Sequence, residues 1–312
     1  MTNMRAVLVG RFGGPETLDV TEVPLPEPGP GQVRIKVAAA AVNPVDLFTR
    51  AGQVPIDPDT LPVGLGWDAA GSIDAVGAGV SGLAGGDAVI AFEDHLTKPL
   101  GPYAEYLVVD ADAVAPAPRT VDATAAATLP LNATTAAQAL DLADLPSGST
   151  LLIAGAAGAV GGYAVQLAAA RGLRVVALAG AGDEADVRAW GAEMFVPRSD
   201  DIAPAVRATF PDGVDAALDT VYQPADVLGA VRNGGVYINL TPPASPVATE
   251  RGIRALDQIV HRDSALLAEL SRLVDAGRLT LRVAETFPLA EVAAAHELAG
   301  KSGVRGRVVL IP

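Results

Sequence analysis

The chain has 312 residues, half of them hydrophobic, and carries 22 Lys and Arg against 36 Asp and Glu, a formal net charge of −14. An acidic surface repels phosphate backbones and anionic lipids, so neither nucleic acid nor a membrane is an expected partner. There is no cysteine, which excludes disulfides, iron–sulfur clusters, thiolate zinc sites and a cysteine nucleophile.

The N-terminal part reads as short strands over 5–9, 33–39, 71–76, 87–92 and 104–109, separated by Pro- and Gly-rich turns such as 24–31. That rhythm predicts a small, partly closed barrel or sandwich. The first residues enter it with no apolar leader, which predicts a cytoplasmic protein. One helix interrupts the strands: Asn43-Pro44-Val45-Asp46 supplies an N-cap, Pro at N1 and an acid at N3, and Gly52 stands just past the end.

From about Ala123 strand and helix alternate. Helices are expected over 124–142, 161–171 and 183–190, and strands over 150–154, 173–179, 193–196, 214–219 and 235–240. Repeated βα units of this length imply an α/β fold with a Rossmann-type, doubly wound parallel sheet. The run 151–170 carries no charge and is long enough for a membrane span. Its four glycines and Gln166 fit a buried strand followed by a helix better. A helix over 264–275, another over 289–299 and a strand over 307–311 follow. The length alone predicts two domains. The division expected is a β-rich domain over 1–122, a dinucleotide-binding domain over 123–262, and a return to the first domain over 263–312.

The strongest local signal is the turn Gly155-Ala156-Ala157-Gly158-Ala159-Val160-Gly161 between the strand at 150–154 and the following helix. Small residues let backbone approach a pyrophosphate, and the N–H groups at the helix start hold the anion. In the G-x-G-x-x-G frame Ala156 takes the first place, with Gly158 and Gly161 after it. Folds that select NAD put an acid about 20 residues beyond the last glycine, on the ribose diol. Here Gly180 stands there, leaving room for a 2′-phosphate. Arg198 after the third strand is the nearest cation, while Asp183 and Glu184 would repel such a phosphate. The expected cofactor is NADPH, with NADH possible, and a solvated surface role remains open to Arg198.

Taken in order, several motifs resemble the quinone oxidoreductase, or ζ-crystallin-like, branch of the medium-chain dehydrogenase/reductases. They are 41–46 (Ala-Val-Asn-Pro-Val-Asp), Gly66-Trp67-Asp68 with Gly71, Val76-Gly77, Gly86-Asp87, Tyr103-Ala104-Glu105-Tyr106, Leu129-Pro130, Thr135-Ala136, the glycine turn and 304–309. The resemblance spans essentially the whole chain and implies a GroES-like catalytic domain beside the Rossmann domain, and a homodimer. Zinc-dependent members carry Gly-His-Glu where this chain has Gly66-Trp67-Asp68, and cysteine ligands besides. His95, His261 and His296 lack local metal-ligand spacing, so no metal is expected.

The same resemblance implies Asn43 beside the nicotinamide or substrate, Thr135 near the cofactor, and Tyr222 and the turn Leu240-Thr241 under the nicotinamide ring. Plainer roles stay open to each: Asn43 is a good helix cap, Thr135 can face the sheet, and Tyr222 can pack its loop. Phe48 stands where the family often has a Tyr, and Asp183 where it has a Lys. Asn43 and Phe48 are the candidate catalytic positions. The cofactor set is Thr135, 155–161, Gly180, Arg198, Tyr222, Leu240 and Thr241. The expected reaction is hydride transfer to a quinone or conjugated carbonyl. An enoyl-thioester reductase and a non-catalytic NADPH-binding protein are the alternatives.

Overall fold

The computed structural model describes residues 2–240, Val247 and 250–312. The chain opens with the strands β1 (Asn3–Val9), β2 (Leu18–Pro24) and β3 (Gln32–Val42), then the helix α1 (Pro44–Arg50). The strands β4 (Val63–Gly64), β5 (Asp68–Val76), β6 (Ala88–Phe92), β7 (Tyr106–Asp110) and β8 (Val114–Pro116) follow. Helices α2 (Ala123–Ala126) and α3 (Pro130–Ala143) lead into β9 (Thr150–Ala154), α4 (Ala159–Ala170), β10 (Arg174–Ala179), α5 (Glu184–Ala189) and β11 (Met194–Pro197). Next come α6 (Ile202–Thr209), β12 (Val214–Asp219), α7 (Pro224–Leu228), β13 (Val231–Asn239) and β14 (Arg254–Asp257). The chain closes with α8 (Ser264–Asp275), β15 (Val283–Pro288), α9 (Val292–Ala299) and β16 (Arg307–Ile311).

Two compact units result: residues Met1–Leu131 with Arg262–Pro312, and residues Asn132–His261. The first boundary falls later than the change of rhythm near Ala123, because α2 packs on β3 and β5. The single helix expected over 124–142 is two, since Pro130 starts a new helix and has no N–H to continue the old one.

In the first unit a three-stranded sheet runs β2-β1-β4, and a larger sheet runs β15-β16-β3-β5-β6-β8 with β7 also on β3. β3 is the organiser: Val33, Ile35 and Val37 alternate into the core, and β16 pairs antiparallel with its last residues, Val308 opposite Val42. Val7, Val9, Tyr103, Leu289, Val292 and Leu310 join the same core cluster. This is the β-rich, GroES-like half of a mixed α/β molecule.

In the second unit the described strands form a parallel sheet in the order β11-β10-β9-β12-β13-β14. Chain order reverses between β9 and β12, the switch point at which open α/β sheets bind ligands beyond their strand ends. β9 is buried along its whole length, and α4 buries eight consecutive residues from Gly161 to Ala168. Burial of β9 and of Gly161 to Ala168 accounts for most of the uncharged run over 151–170. No described helix is long and apolar enough to cross a membrane.

Candidate active site

In the second unit Gly155, Gly180, Arg198 and Leu240 each follow the C-terminal end of a parallel strand. β9 ends in Gly155, whose φ of +74° lies in the left-handed region that glycine adopts without cost. The Gly155 and Ala156 N–H groups both donate to the Leu178 carbonyl at 3.1 Å, and Gly158 donates back to the Gly155 carbonyl at 2.8 Å. Gly158 then N-caps α4 and is exposed, whereas Ala156 and Ala157 are buried. Ala159 and Val160 are half-buried in the first turn, where helical N–H groups have no partner within the helix.

The three glycines serve different ends. A Cβ on Gly161 would collide with the Gly155 carbonyl oxygen, and one on Gly155 would collide with Thr220 Oγ1. On Gly158 a Cβ would meet one atom within 4 Å, the Gly155 oxygen at 3.1 Å. Gly155 and Gly161 are therefore demanded by packing. Gly158, by contrast, borders open space.

At the neighbouring strand end, Gly180 donates its N–H to Asp183 Oδ2 at 3.1 Å. Asp183, half of a turn against Gly180, is thereby buried rather than displayed. Arg198 is exposed, and its N–H donates to the Ala179 carbonyl at 2.8 Å. Its guanidinium lies over Gly180: a Cβ there would stand 2.7 Å from Arg198 Nη2. Glu184 is held by Arg188 at 2.8 Å.

Across the switch point, Thr220 Oγ1 donates to the Ala154 carbonyl at 2.8 Å, which ties β12 to the glycine turn. Asp219, fully buried, accepts from Val221 N at 3.0 Å, Gln223 N at 2.6 Å and Tyr237 Oη at 2.7 Å. Burial and the bond to Asp219 push the Tyr237 hydroxyl up, so it stays a donor. This clamp presents Val221 and Tyr222 to solvent, Tyr222 with φ +56°. Leu240 is half-buried and donates its N–H to the Asp219 carbonyl at 3.2 Å. Thr135 lies buried on α3. Thr241 lies outside the described residues. Asp219 is a positioning residue the sequence reading missed; its signal is a second acid in β12, closing the apolar run Ala216 to Leu218.

In the first unit Asn43 and two aspartates form a buried polar knot. Asn43 caps α1, and Asp46 accepts its backbone N–H at 2.8 Å, half of a capping box. Asp46 also accepts from Gly66 N at 2.9 Å and Tyr103 Oη at 3.0 Å. The Asn43 amide donates to Asp68 Oδ2 at 2.6 Å, and Leu131 N donates to Asp68 Oδ1 at 2.5 Å. Burial pushes Asp46 up to about 6 and Asp68 to about 7, against the hydrogen bonds that favour their ionised forms. Asn43 is thus both cap and member of the knot. Phe48, on the same short helix, is 43% exposed.

Trp67 stacks obliquely on Phe92, ring centroids 6.0 Å apart. Lys98, also missed in the sequence reading, lies over the Trp67 ring, Nζ 5.1 Å from its centroid. His95 Nδ1 sits 2.6 Å from Glu93 Oε1. His296 is buried on α9, edge-on to the Tyr103 ring, and burial lowers it to about 3.

Residues 29–119 match the alcohol dehydrogenase GroES-like domain and residues 190–310 the zinc-binding dehydrogenase family. The chain is 32% identical to the quinone oxidoreductase of Lama guanicoe, over 99% of this chain and 97% of that one. It is 30% identical to the chloroplastic NADPH-dependent alkenal/one oxidoreductase of Arabidopsis thaliana, over 99% and 80%. The solved quinone oxidoreductase of Coxiella burnetii superposes with a TM-score of 0.91 at 30% identity, covering both chains completely.

The zinc named in the second family description finds no cysteine ligand in this chain. At Gly66-Trp67-Asp68 the Trp67 indole offers an N–H and no lone pair, and the chain has no cysteine. Among the described residues the group close enough to share an ion is Glu93, Asp94 and His95, three consecutive residues of one loop, and the His95 ring nitrogen already faces Glu93. The glycine turn, by contrast, fits a dinucleotide. On this evidence the protein is an oxidoreductase that uses a nicotinamide cofactor on a small-molecule substrate, and the chain belongs to the medium-chain dehydrogenase/reductase superfamily, among its quinone oxidoreductase-like members.

Proposed function

We propose that the protein is an NADPH-dependent reductase that passes hydride to a quinone or conjugated enone without a metal. The relatives' names, quinone oxidoreductase and alkenal/one oxidoreductase, support the acceptor class. One observation carries the cofactor choice: the Arg198 guanidinium lies over the corner at Gly180, where the acid present, Asp183, already accepts the Gly180 N–H. Asp183, which would oppose a phosphate, is turned into the Gly180 backbone instead. When bound, the cofactor supplies the hydride. The chain's own contribution is the Gly158 space and α4 N–H groups for the pyrophosphate, Arg198 for the 2′-phosphate, and an apolar ring, Phe48, for a flat acceptor. A homodimer belongs to the same proposal and rests on the family resemblance.

Two measurements test this reading. Fluorescence titration should show tighter binding of NADPH than of NADH, and Arg198→Ala should erode the difference by about 1–2 kcal/mol, the scale of a charge-assisted hydrogen bond. Equal affinities in the native protein would remove the 2′-phosphate from the argument.

The second compares acceptors at saturating NADPH, with and without a chelator. Reduction of an enoyl thioester leaves an α-carbon that must be protonated, and a placed acid helps. Phe48 supplies none, whereas its exposed ring suits a flat quinone. Small quinones should therefore exceed a crotonyl thioester in kcat/KM by at least about tenfold, with Phe48→Tyr narrowing the gap. Faster thioester turnover would favour an enoyl reductase, and loss of activity on chelation would restore a metal.

A further inference from the structure

Lys98 lies in the loop between β6 and β7 and is 8% exposed, an unusual place for an ammonium. Its Nζ donates to the Glu93 carbonyl at 3.2 Å and otherwise rests on the face of the Trp67 ring. An ammonium has three N–H donors. Among the described residues it has no second hydrogen-bond acceptor and no ion-pair partner. Four carboxylates act on it from greater distance: Glu93 and Asp94 on its own loop, Asp46 on α1 and Asp68 on β5. The last two are the carboxylates that hold Asn43. Burial outweighs all four and lowers Lys98 to about 8, so at neutral pH the side chain is charged yet gives up its proton readily.

We propose that Lys98 is a catalytic residue, the proton donor to the carbonyl oxygen of the acceptor. The proposal rests on the reductase reading above and names an acid for it. As hydride forms the new C–H bond at the conjugated carbon, the C=C pair shifts toward the carbonyl carbon and the C=O π pair moves onto oxygen. The Lys98 N–H bond breaks, its electrons stay on Nζ, and the proton forms the new O–H bond. The products are an enol, or a hydroquinone after tautomerisation, and a neutral amine. Water reprotonates the amine, and the enol relaxes to the saturated ketone in solvent.

The test uses 4-nitrophenol as an oxyanion probe, so that it reads Lys98 without turnover. Bound to the native protein, the probe's ionisation should shift down by about one pH unit, seen as nitrophenolate absorbance. Lys98→Met should abolish the shift, and Lys98→Arg, which keeps the charge, should retain it. With a quinone acceptor, Lys98→Met should lower kcat/KM by roughly 10²–10⁴-fold, and Lys98→Arg should restore little, because guanidinium holds its proton. Should Lys98→Met fail to fold, the native pH profile decides: kcat/KM should fall as pH rises through about 8. An unshifted probe in the native protein, the same shift in Lys98→Met, or a pH profile flat through this range would overturn the proposal. A Lys98-dependent shift in a protein that reduces neither quinones nor enones would sustain the oxyanion site and overturn the reductase reading alone.

Discussion

Gly158→Val is expected to weaken NADPH binding by more than about a hundredfold while leaving the protein folded. The backbone at Gly158, φ −71° and ψ 176°, is extended, a conformation valine prefers. Its first side-chain atom would touch only the Gly155 carbonyl oxygen at 3.1 Å, a contact relieved by a small shift. The cost to the fold is on the scale of a helix cap, about 1 kcal/mol. The two γ-methyl groups then occupy the space in front of the α4 N–H groups. Losing those bonds to a charged phosphate, each about 1.5–3 kcal/mol, exceeds the 2.7 kcal/mol or so of a hundredfold change. Gly161→Val is the control, because its Cβ would collide with backbone and the variant should not fold. A normal titration curve for Gly158→Val, with an unchanged melting curve, would show the turn to be misassigned.

Asp46→Ala should destabilise the first unit by about 3–5 kcal/mol, read from urea unfolding near pH 5. Three buried donors, Asn43 N, Gly66 N and Tyr103 Oη, lose their acceptor, at about 1–3 kcal/mol apiece. No longer burying a polar carboxyl group offsets part of that sum. The folded value of about 6 lies above the ordinary 3.8, so the folded state binds this proton more tightly than the unfolded chain. The native chain's advantage over the variant is therefore largest below about pH 4 and shrinks as pH rises through 6. Asp68 is present in both proteins, so the burial part of its shift cancels, and the part that Asp46 raises acts in the same direction. A loss under about 1 kcal/mol, or an advantage that grows with pH across this window, would contradict the account.

Much of the fold is legible in the sequence, for identifiable reasons. β9 is an apolar run from Leu151 to Ala154 closed by Gly155, β12 carries the apolar run Ala216 to Leu218, and α8 carries Leu267, Leu270 and Val274 on one buried face. β15 escapes notice because it is an edge strand: five of its six residues are exposed and none is buried, so no alternation marks it. β14 is another such edge. In the candidate site, the glycine turn is legible because its chemistry needs consecutive small residues. Lys98 is not, because its meaning lies in the Trp67 ring and in carboxylates at positions 46 and 68, brought near by strand pairing rather than by spacing. Asp219 is intermediate. Its place at a strand end is visible, but its three donors come from a turn and from β13.

The pairing of β16 with β3 has a further bearing, on how the polypeptide is made. Synthesis runs from the N-terminus, and domains fold as units once their residues are out. All strands of the parallel sheet precede β16, so the unit with the glycine turn has its whole sheet available while the other still lacks two strands. Until then the stretch of β3 from Ala40 to Val42 is an open sheet edge, waiting for Val308 to Leu310. Its apolar residues, Ala40, Ala41 and Val42, are fully buried once that pairing forms. Before it forms, they are the place on a nascent chain where a holdase would bind or a second chain would add a strand.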